Sequence, residues 1–192
     1  MDYQLIYLHG FLSSPQSVKA QQTVAFIDQY FPHLNIEVPQ LSNYPGEAAQ
    51  QVEDVVKKHR GKRLRFIGSS MGGFLSTHFV EKYGGKGVLI NPAVKPYALL
   101  KDYLGDHENP YTGQRFTLTN QHLDELLALD TPTLQHGGDY WVLLQQGDET
   151  LDYRQAEAKY QGAKLTIEPD GDHSFVGYER FLTPILDFLI SP

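Results

Sequence analysis

Short apolar runs alternate with amphipathic segments along nearly the whole chain, and that alternation restricts the fold more than any other feature of the sequence. Leu5-Ile6-Tyr7-Leu8, Ile36 to Val38, Leu64 to Ile67, Val88 to Ile90, Trp141 to Gln145 and Leu165 to Ile167 are short and rich in β-branched or aromatic residues, and read as buried strands. Between them, apolar residues recur at helical spacing: Ala20, Val24, Ile27 and Phe31; Ala48, Val52, Val55, Val56 and His59; Met71, Phe74, Leu75, His78 and Phe79. Strands alternating with helices bury both faces of a sheet. The chain is therefore expected to form an α/β fold of six mostly parallel strands with helices on both faces, and ligands are expected at the strands' C-terminal ends.

At 192 residues one core suffices, so residues 1–192 are read as a single domain. Ser14 suits an N-cap and Pro15 a first helical position, which predicts a helix beginning there. Helices are also expected over Pro45 to His59 and Tyr153 to Tyr160. The rhythm breaks between Asn91 and Gly138, where Pro92, Pro96, Pro110 and Pro132 bracket helical patterns around Tyr97 to Leu104 and Leu123 to Leu129. That stretch, about 92–138, reads as a small helical, cap-like insertion. Near the end, Pro184 would cost about 3 kcal/mol inside a helix but fits a helix start capped by Thr183, so a break is expected there.

A formal net charge of −7, with positive charge taken as dispersed, argues against nucleic acid and membrane surfaces as partners. No apolar run approaches the ~18 residues of a membrane span, and no leader is legible after Met1, so a cytoplasmic protein is expected. The absence of cysteine excludes disulfides, thiolate metal sites and a cysteine nucleophile.

Covalent chemistry must then use another nucleophile, and Gly68-Ser69-Ser70-Met71-Gly72 supplies one. It matches G-x-S-x-G between a strand and a helix, the context in which a serine is raised on a sharp turn and its neighbours must be very small. A plain glycine-rich turn with a serine N-cap fits the same letters, and Ser69 and Ser70 would then be interchangeable. An anion-binding helix start is also conceivable, but the Gly-Lys-Ser/Thr ending of a P-loop is missing.

A serine hydroxyl needs a base, and the base an orienting acid. His173, in Gly171-Asp172-His173-Ser174, follows the last strand at the edge where Ser70 is expected. Asp148, in Gln146-Gly147-Asp148-Glu149, lies just past the preceding strand and completes the order serine, acid, histidine. Glu149 and Asp152 compete for the acid, although Asp152 also suits an N-cap, and Asp172 can simply shape the turn. His78 and His59 sit on apolar helix faces and read as core or boundary residues. An oxyanion hole needs two N–H donors: Met71, the residue after the nucleophile, and Phe11, in His9-Gly10-Phe11, where the glycine would let the chain turn.

These residues resemble the α/β-hydrolase superfamily and, more closely, the small bacterial esterases of the YqiA type, over nearly the whole chain. The likeness is carried by His9-Gly10-Phe11 with Ser13-Ser14-Pro15, Gly68 to Gly73, Asn91-Pro92-Ala93-Val94, Glu108-Asn109-Pro110-Tyr111-Thr112-Gly113-Gln114, Gln145 to Glu149 and Asp152 to Gln155. Some relatives carry Gln in place of His9, and many carry Leu in place of Met71. The resemblance implies a serine esterase acting on a small acyl ester or acyl-CoA thioester, with Ser70 as nucleophile, His173 as base and then acid, and Asp148 as orienter. No metal or organic cofactor is implied. Oligomeric state is not legible. A non-catalytic binding module on this scaffold, or amide hydrolysis or acyl transfer by the same triad, remain open readings. A short or medium acyl group is expected, since the insertion is too modest to cover a long tail.

Overall fold

The structure, a computed structural model, describes residues 2–191. It contains strands β1 (Tyr3–Leu8), β2 (Asn35–Glu37), β3 (Arg63–Ser69), β4 (Lys86–Ile90), β5 (Gly105–Glu108), β6 (Arg115–Leu118), β7 (Tyr140–Gln145) and β8 (Lys164–Glu168). The helices are α1 (Val18–Tyr30), α2 (Pro45–Lys58), α3 (Met71–Tyr83), α4 (Pro96–Leu99), α5 (Asn120–Ala128), α6 (Tyr153–Lys159) and α7 (Leu182–Ile190). Six strands form one sheet in the order β2-β1-β3-β4-β7-β8, with every pairing parallel.

Both faces of this sheet are covered, for the reason the apolar runs suggest. In β1, Ile6 and Leu8 join the core that contains Val52 and Val56 of α2 and Phe74 and Phe79 of α3. Their neighbours Leu5 and Tyr7 point the other way, into the core that contains Ile27 of α1 and Ile185, Leu186 and Leu189 of α7. A run apolar at every position is what a doubly covered strand requires.

The strand order reverses between β1 and β3, because β1 is followed by β2 on one side and the chain then returns to β3 on the other. At such a switch point the loops leaving adjacent strands diverge and open a crevice at their C-terminal ends. The loops in question begin with His9-Gly10-Phe11 and with Ser70.

Three sequence expectations are corrected. α1 starts at Val18, not after Ser14, because the Ser14 cap is spent on a turn: its Oγ accepts from Gln16 N at 3.0 Å and its carbonyl from Ser17 N at 3.0 Å. Pro184 causes no break, since a 3₁₀ turn over Tyr178–Phe181 runs directly into α7 and the proline falls in the first helical turn, where its missing N–H has no helical acceptor. The insertion is not purely helical: β5 and β6 form an antiparallel hairpin between the segment of α4 with its following 3₁₀ turn (Leu100–Tyr103) and α5.

Buried Asn109 anchors that hairpin. Its Oδ1 accepts from the N–H groups of Tyr111 and Thr112, while Nδ2 donates to Asn43 Oδ1 and to the Ser13 carbonyl. The insertion is thereby tied to the loop that leaves β1. No helix among the described residues is long and apolar enough to cross a membrane.

Candidate active site

β3 delivers the chain to Ser70, which adopts φ 55° and ψ −117°, a region that L-residues avoid at a cost of about 1–3 kcal/mol. The turn is held by its surroundings: Ser70 N donates to the Ile90 carbonyl and Ala93 N to the Ser70 carbonyl, each at 3.0 Å. Glycine is required on both sides. A Cβ on Gly68 would collide with the Gly72 carbonyl, and one on Gly72 with the carbonyls of Leu8 and His9.

Ser70, His173 and Asp148 come together from three separate loops. His173 Nε2 lies 3.1 Å from Ser70 Oγ, and His173 Nδ1 lies 2.8 Å from Asp148 Oδ2. Because a carboxylate can only accept, Nδ1 carries the proton, which leaves Nε2 free to accept from the serine hydroxyl. The Asp148 side chain is 2% exposed. Its other oxygen accepts from Thr150 N at 2.9 Å and Leu151 N at 2.8 Å, so the carboxylate is fixed in place.

The competing acids are engaged elsewhere. Glu149 accepts from the His173 backbone N–H at 3.0 Å, not from the ring, and hydrogen bonds from its own N–H and that of His173 hold its carboxyl below the ordinary range. Asp152 caps α6 by accepting from Arg154 N at 3.1 Å and also binds the Arg154 side chain, which lowers its pKa. Asp172 belongs to the turn, with Oδ1 buried and unbonded. His78 bonds the Leu129 carbonyl and His59 bonds Glu37, so neither approaches Ser70.

The loop after β1 lies against the serine. An added Cβ on Gly10 would stand 3.4 Å from Ser70 Cβ, in van der Waals contact, which shows how closely the two loops approach. The turn itself is made by Leu12, at φ 54°, and not by Gly10 as expected. His9 is 3% exposed; it donates through Nδ1 to the Gly10 carbonyl at 2.9 Å and accepts at Nε2 from Leu41 N at 3.0 Å. Burial lowers its pKa, which keeps the ring neutral and able to accept. Fixing the Gly10 carbonyl also fixes the Phe11 N–H, because both belong to one trans peptide. Among the described residues, neither the Phe11 nor the Met71 N–H meets a protein acceptor.

Two residues to which sequence reasoning gave no role hold the constellation together. Asn91 accepts at Oδ1 from Gln145 N and donates through Nδ2 to the Asp172 and His173 carbonyls. Gln145 accepts at Oε1 from Asp172 N and Val176 N, and donates through Nε2 to the Val176 carbonyl. Both are buried polar residues at the C-terminal ends of strands, and their burial and partners become visible only in the fold.

Ser70 and His173 open into a cleft of about 440 Å³ whose lining includes Phe11, Ser13, Lys19 and Tyr111. Behind Phe11 and Met71 lies a smaller recess of about 30 Å³, lined also by Leu41, Ala48, Leu75, Leu100 and Leu126. The other aromatic residues of the insertion are otherwise engaged: Phe116 packs edge-on to Phe11 in the core, Tyr97 donates to Asp130, and Tyr103 is exposed next to His107. Among the described residues no group of three or more His, Asp or Glu side chains is arranged to hold a metal ion.

The sheet order, the strained serine turn after β3 and the site at the switch point define an α/β-hydrolase fold. A protein from Agrobacterium vitis S4 described as a candidate hydrolase superimposes with a TM-score of 0.80 at 16% identity, over 98% of this chain and 88% of that one. Est1E of Butyrivibrio proteoclasticus, solved with ferulic acid bound, gives 0.76 at 11% identity over 97% and 88%. The esterase Pf2001 of Pyrococcus furiosus gives 0.64 at 16% over 98% and 80%. At these identities the likeness establishes the fold. Residues 4–190 match the uncharacterised protein family UPF0227, and the chain belongs to that family.

Proposed function

We propose that the protein is a serine esterase that hydrolyses small acyl esters or acyl-CoA thioesters through an acyl-enzyme. The observation that carries this reading is the continuous hydrogen-bonded chain Ser70 Oγ, His173 Nε2, His173 Nδ1 and Asp148 Oδ2. The esterase named among the structural neighbours supports it at the level of the scaffold.

Ser70 Oγ attacks the acyl carbonyl while His173 Nε2 takes its proton, and the imidazolium is stabilised by Asp148. The carbonyl oxygen, now an oxyanion, accepts from the Met71 and Phe11 N–H groups, an interaction of the kind worth about 10²–10³-fold in rate for each donor. His173 returns the proton to the leaving alkoxide or thiolate. Water then enters, gives a proton to His173 and attacks the acyl carbon, and Ser70 leaves with that proton restored.

The recess beside the two proposed oxyanion donors limits the acyl group. A volume of about 30 Å³ is room for about two water molecules, and so for a short acyl tail rather than a long one. The test is a series of p-nitrophenyl esters and acyl-CoA thioesters of rising chain length, with Ser70→Ala as the blank. The proposal expects kcat/KM to peak at short acyl chains in one or both series. A rate that climbs steadily to long chains contradicts the acyl assignment, and no difference from Ser70→Ala contradicts the enzyme assignment.

A further inference from the structure

The total charge of −7 conceals a strong local excess of the opposite sign. Lys57-Lys58-His59-Arg60-Gly61-Lys62-Arg63-Leu64-Arg65 gathers six of the sixteen Lys and Arg residues into nine positions, so the expectation of dispersed positive charge is wrong. The run leaves α2 and enters β3 at its N-terminal end. It therefore lies at the sheet edge opposite Ser70, separated from it by the length of β3, about 20 Å at about 3.3 Å per residue.

The structure folds this run around a cavity of about 290 Å³. Lys57, His59, Arg60, Lys62, Arg63 and Arg65 line it on one side, and Tyr83, Gly84 and Gly85 at the end of α3 close the other. Among the described residues no Asp or Glu lines it. The nearest acids stand outside and neutralise only part of the ring: Glu53 reaches Lys57 and Asp2 reaches Lys62, each at 3.5 Å, and Glu37 takes Lys58 and His59. In the pairs of Lys57, Lys58 and Lys62 one partner is open to solvent, which keeps them weak and leaves the lysines free to exchange partners.

Two residues lack a carboxylate partner among the described residues. Arg60 is exposed and makes no ion pair. Arg65 is 5% exposed; its partners include the carbonyls of Leu64 and Leu189, and it stacks 4.8 Å from the centre of the Tyr3 ring. A guanidinium keeps its proton at any physiological pH, so Arg65 adds a positive charge at the start of β3, answered by those carbonyls and, at longer range, by Asp139. The negative end of the α2 dipole accounts for Lys57 and Lys58 in its last turn, but not for Arg60, Lys62 and Arg65, which lie beyond the helix.

We infer that this cavity binds a phosphate-bearing small molecule, a diphosphate or longer phosphate chain, at a site separate from the Ser70 cleft. Several cations converge on one recess, more than a single phosphate group would neutralise. Arginine forks and lysine ammonium groups are the side chains that match phosphate oxygens. The recess is near the lower end of the roughly 300–1,000 Å³ usual for small-molecule sites, which favours a compact ligand over a macromolecular surface. The inference does not depend on the esterase reading.

The test is calorimetric titration of the full chain with inorganic pyrophosphate at constant ionic strength near about 0.15 M, where long-range attraction is screened. Wild type and Ser70→Ala are expected to bind one equivalent with the same affinity. The double variant Arg60→Ala/Lys62→Ala, whose side chains project from the loop, should bind at least about tenfold more weakly, the scale of one lost charge-assisted hydrogen bond. It should keep the wild-type melting temperature and ester hydrolysis rate. Absence of saturable binding in the wild type, or equal affinity in the double variant, overturns the proposal. So does co-sedimentation with phosphatidylglycerol vesicles without any pyrophosphate binding, which would identify a lipid-facing surface instead.

Discussion

Replacing Asn91 tests whether the triad depends on a residue that touches neither substrate nor serine side chain. Asn91 donates to the Asp172 carbonyl at 3.0 Å and the His173 carbonyl at 3.3 Å, and accepts from Gln145 N at 3.0 Å. Its own backbone sits at φ 39°, a region that Asn and Asp tolerate better than Ala. In Asn91→Ala three hydrogen bonds disappear at about 1 kcal/mol each, and a buried Gln145 N–H is left without an acceptor. With partial relaxation the expected loss is about 2–4 kcal/mol, equivalent to a melting-point drop of roughly 5–15 °C for a chain of this size. Asn91→Asp keeps the acceptor and the backbone preference but turns a carboxylate toward two carbonyls, so it directs the damage to the His173 loop. Displacing a catalytic group by about 1 Å can cost about 10²-fold, and a kcat fall of about 10- to 100-fold is expected for both variants. Thermal unfolding followed by circular dichroism, together with p-nitrophenyl acetate hydrolysis well below the melting point, measures the two effects separately. If stability falls while kcat stays within about twofold of wild type, the His173 loop is held without Asn91 and the reasoning fails.

Other predictions follow from the same geometry. Ser70→Ala should abolish ester hydrolysis with little change in melting temperature, while Ser69→Ala should retain most of the activity; assays of both variants against wild type check this. Asp148→Asn should lower kcat by about 10³–10⁴-fold, because an amide donor facing Nδ1 favours the tautomer that cannot accept from Ser70; a normal rate would move the orienting role to another acid. Burial lowers the pKa of His9 below its ordinary 6.5, so as pH falls the unfolded chain takes up the proton first. The stability tied to a neutral His9 is therefore complete above 6.5 and is lost as pH falls through the folded-state value. His78 shifts in the same direction, so the measurement is a comparison: His9→Gln, which can still donate to Gly10 and accept from Leu41, should lose less melting temperature than wild type between about pH 7 and 5.

Much of this architecture is legible in the sequence because burial on both sheet faces leaves continuous apolar runs. All six strands of the sheet lie where those runs predict, within a residue or two at the ends. The β5–β6 hairpin escapes because Gly105 to Glu108 is polar throughout, and the alternation of its partner, with Phe116 and Leu118 buried between exposed Arg115 and Thr117, is only four residues long. The start of α1 is misread because Ser14-Pro15 satisfies the chemistry of a cap and of a turn equally well. Ser70 and His173 can be singled out as candidates from local context, since the serine turn needs small neighbours and the histidine must follow a strand. The clamps made by Asn91 and Gln145 cannot, because each links segments that are remote in sequence. The basic run is itself legible as six cations in nine positions, although a total charge averages it away; that the fold wraps it around a cavity is not legible, because Tyr83, Gly84 and Gly85 come from a remote segment.

The central claim is that Ser70 is an activated nucleophile, and the most direct measurement is reaction with a fluorophosphonate followed by intact-mass analysis and peptide mapping. This probe reports an activated serine without requiring the natural substrate. The account predicts a single adduct, on Ser70, formed at a rate that collapses when His173 is replaced by Ala. No adduct, or an adduct on Ser69, would contradict it.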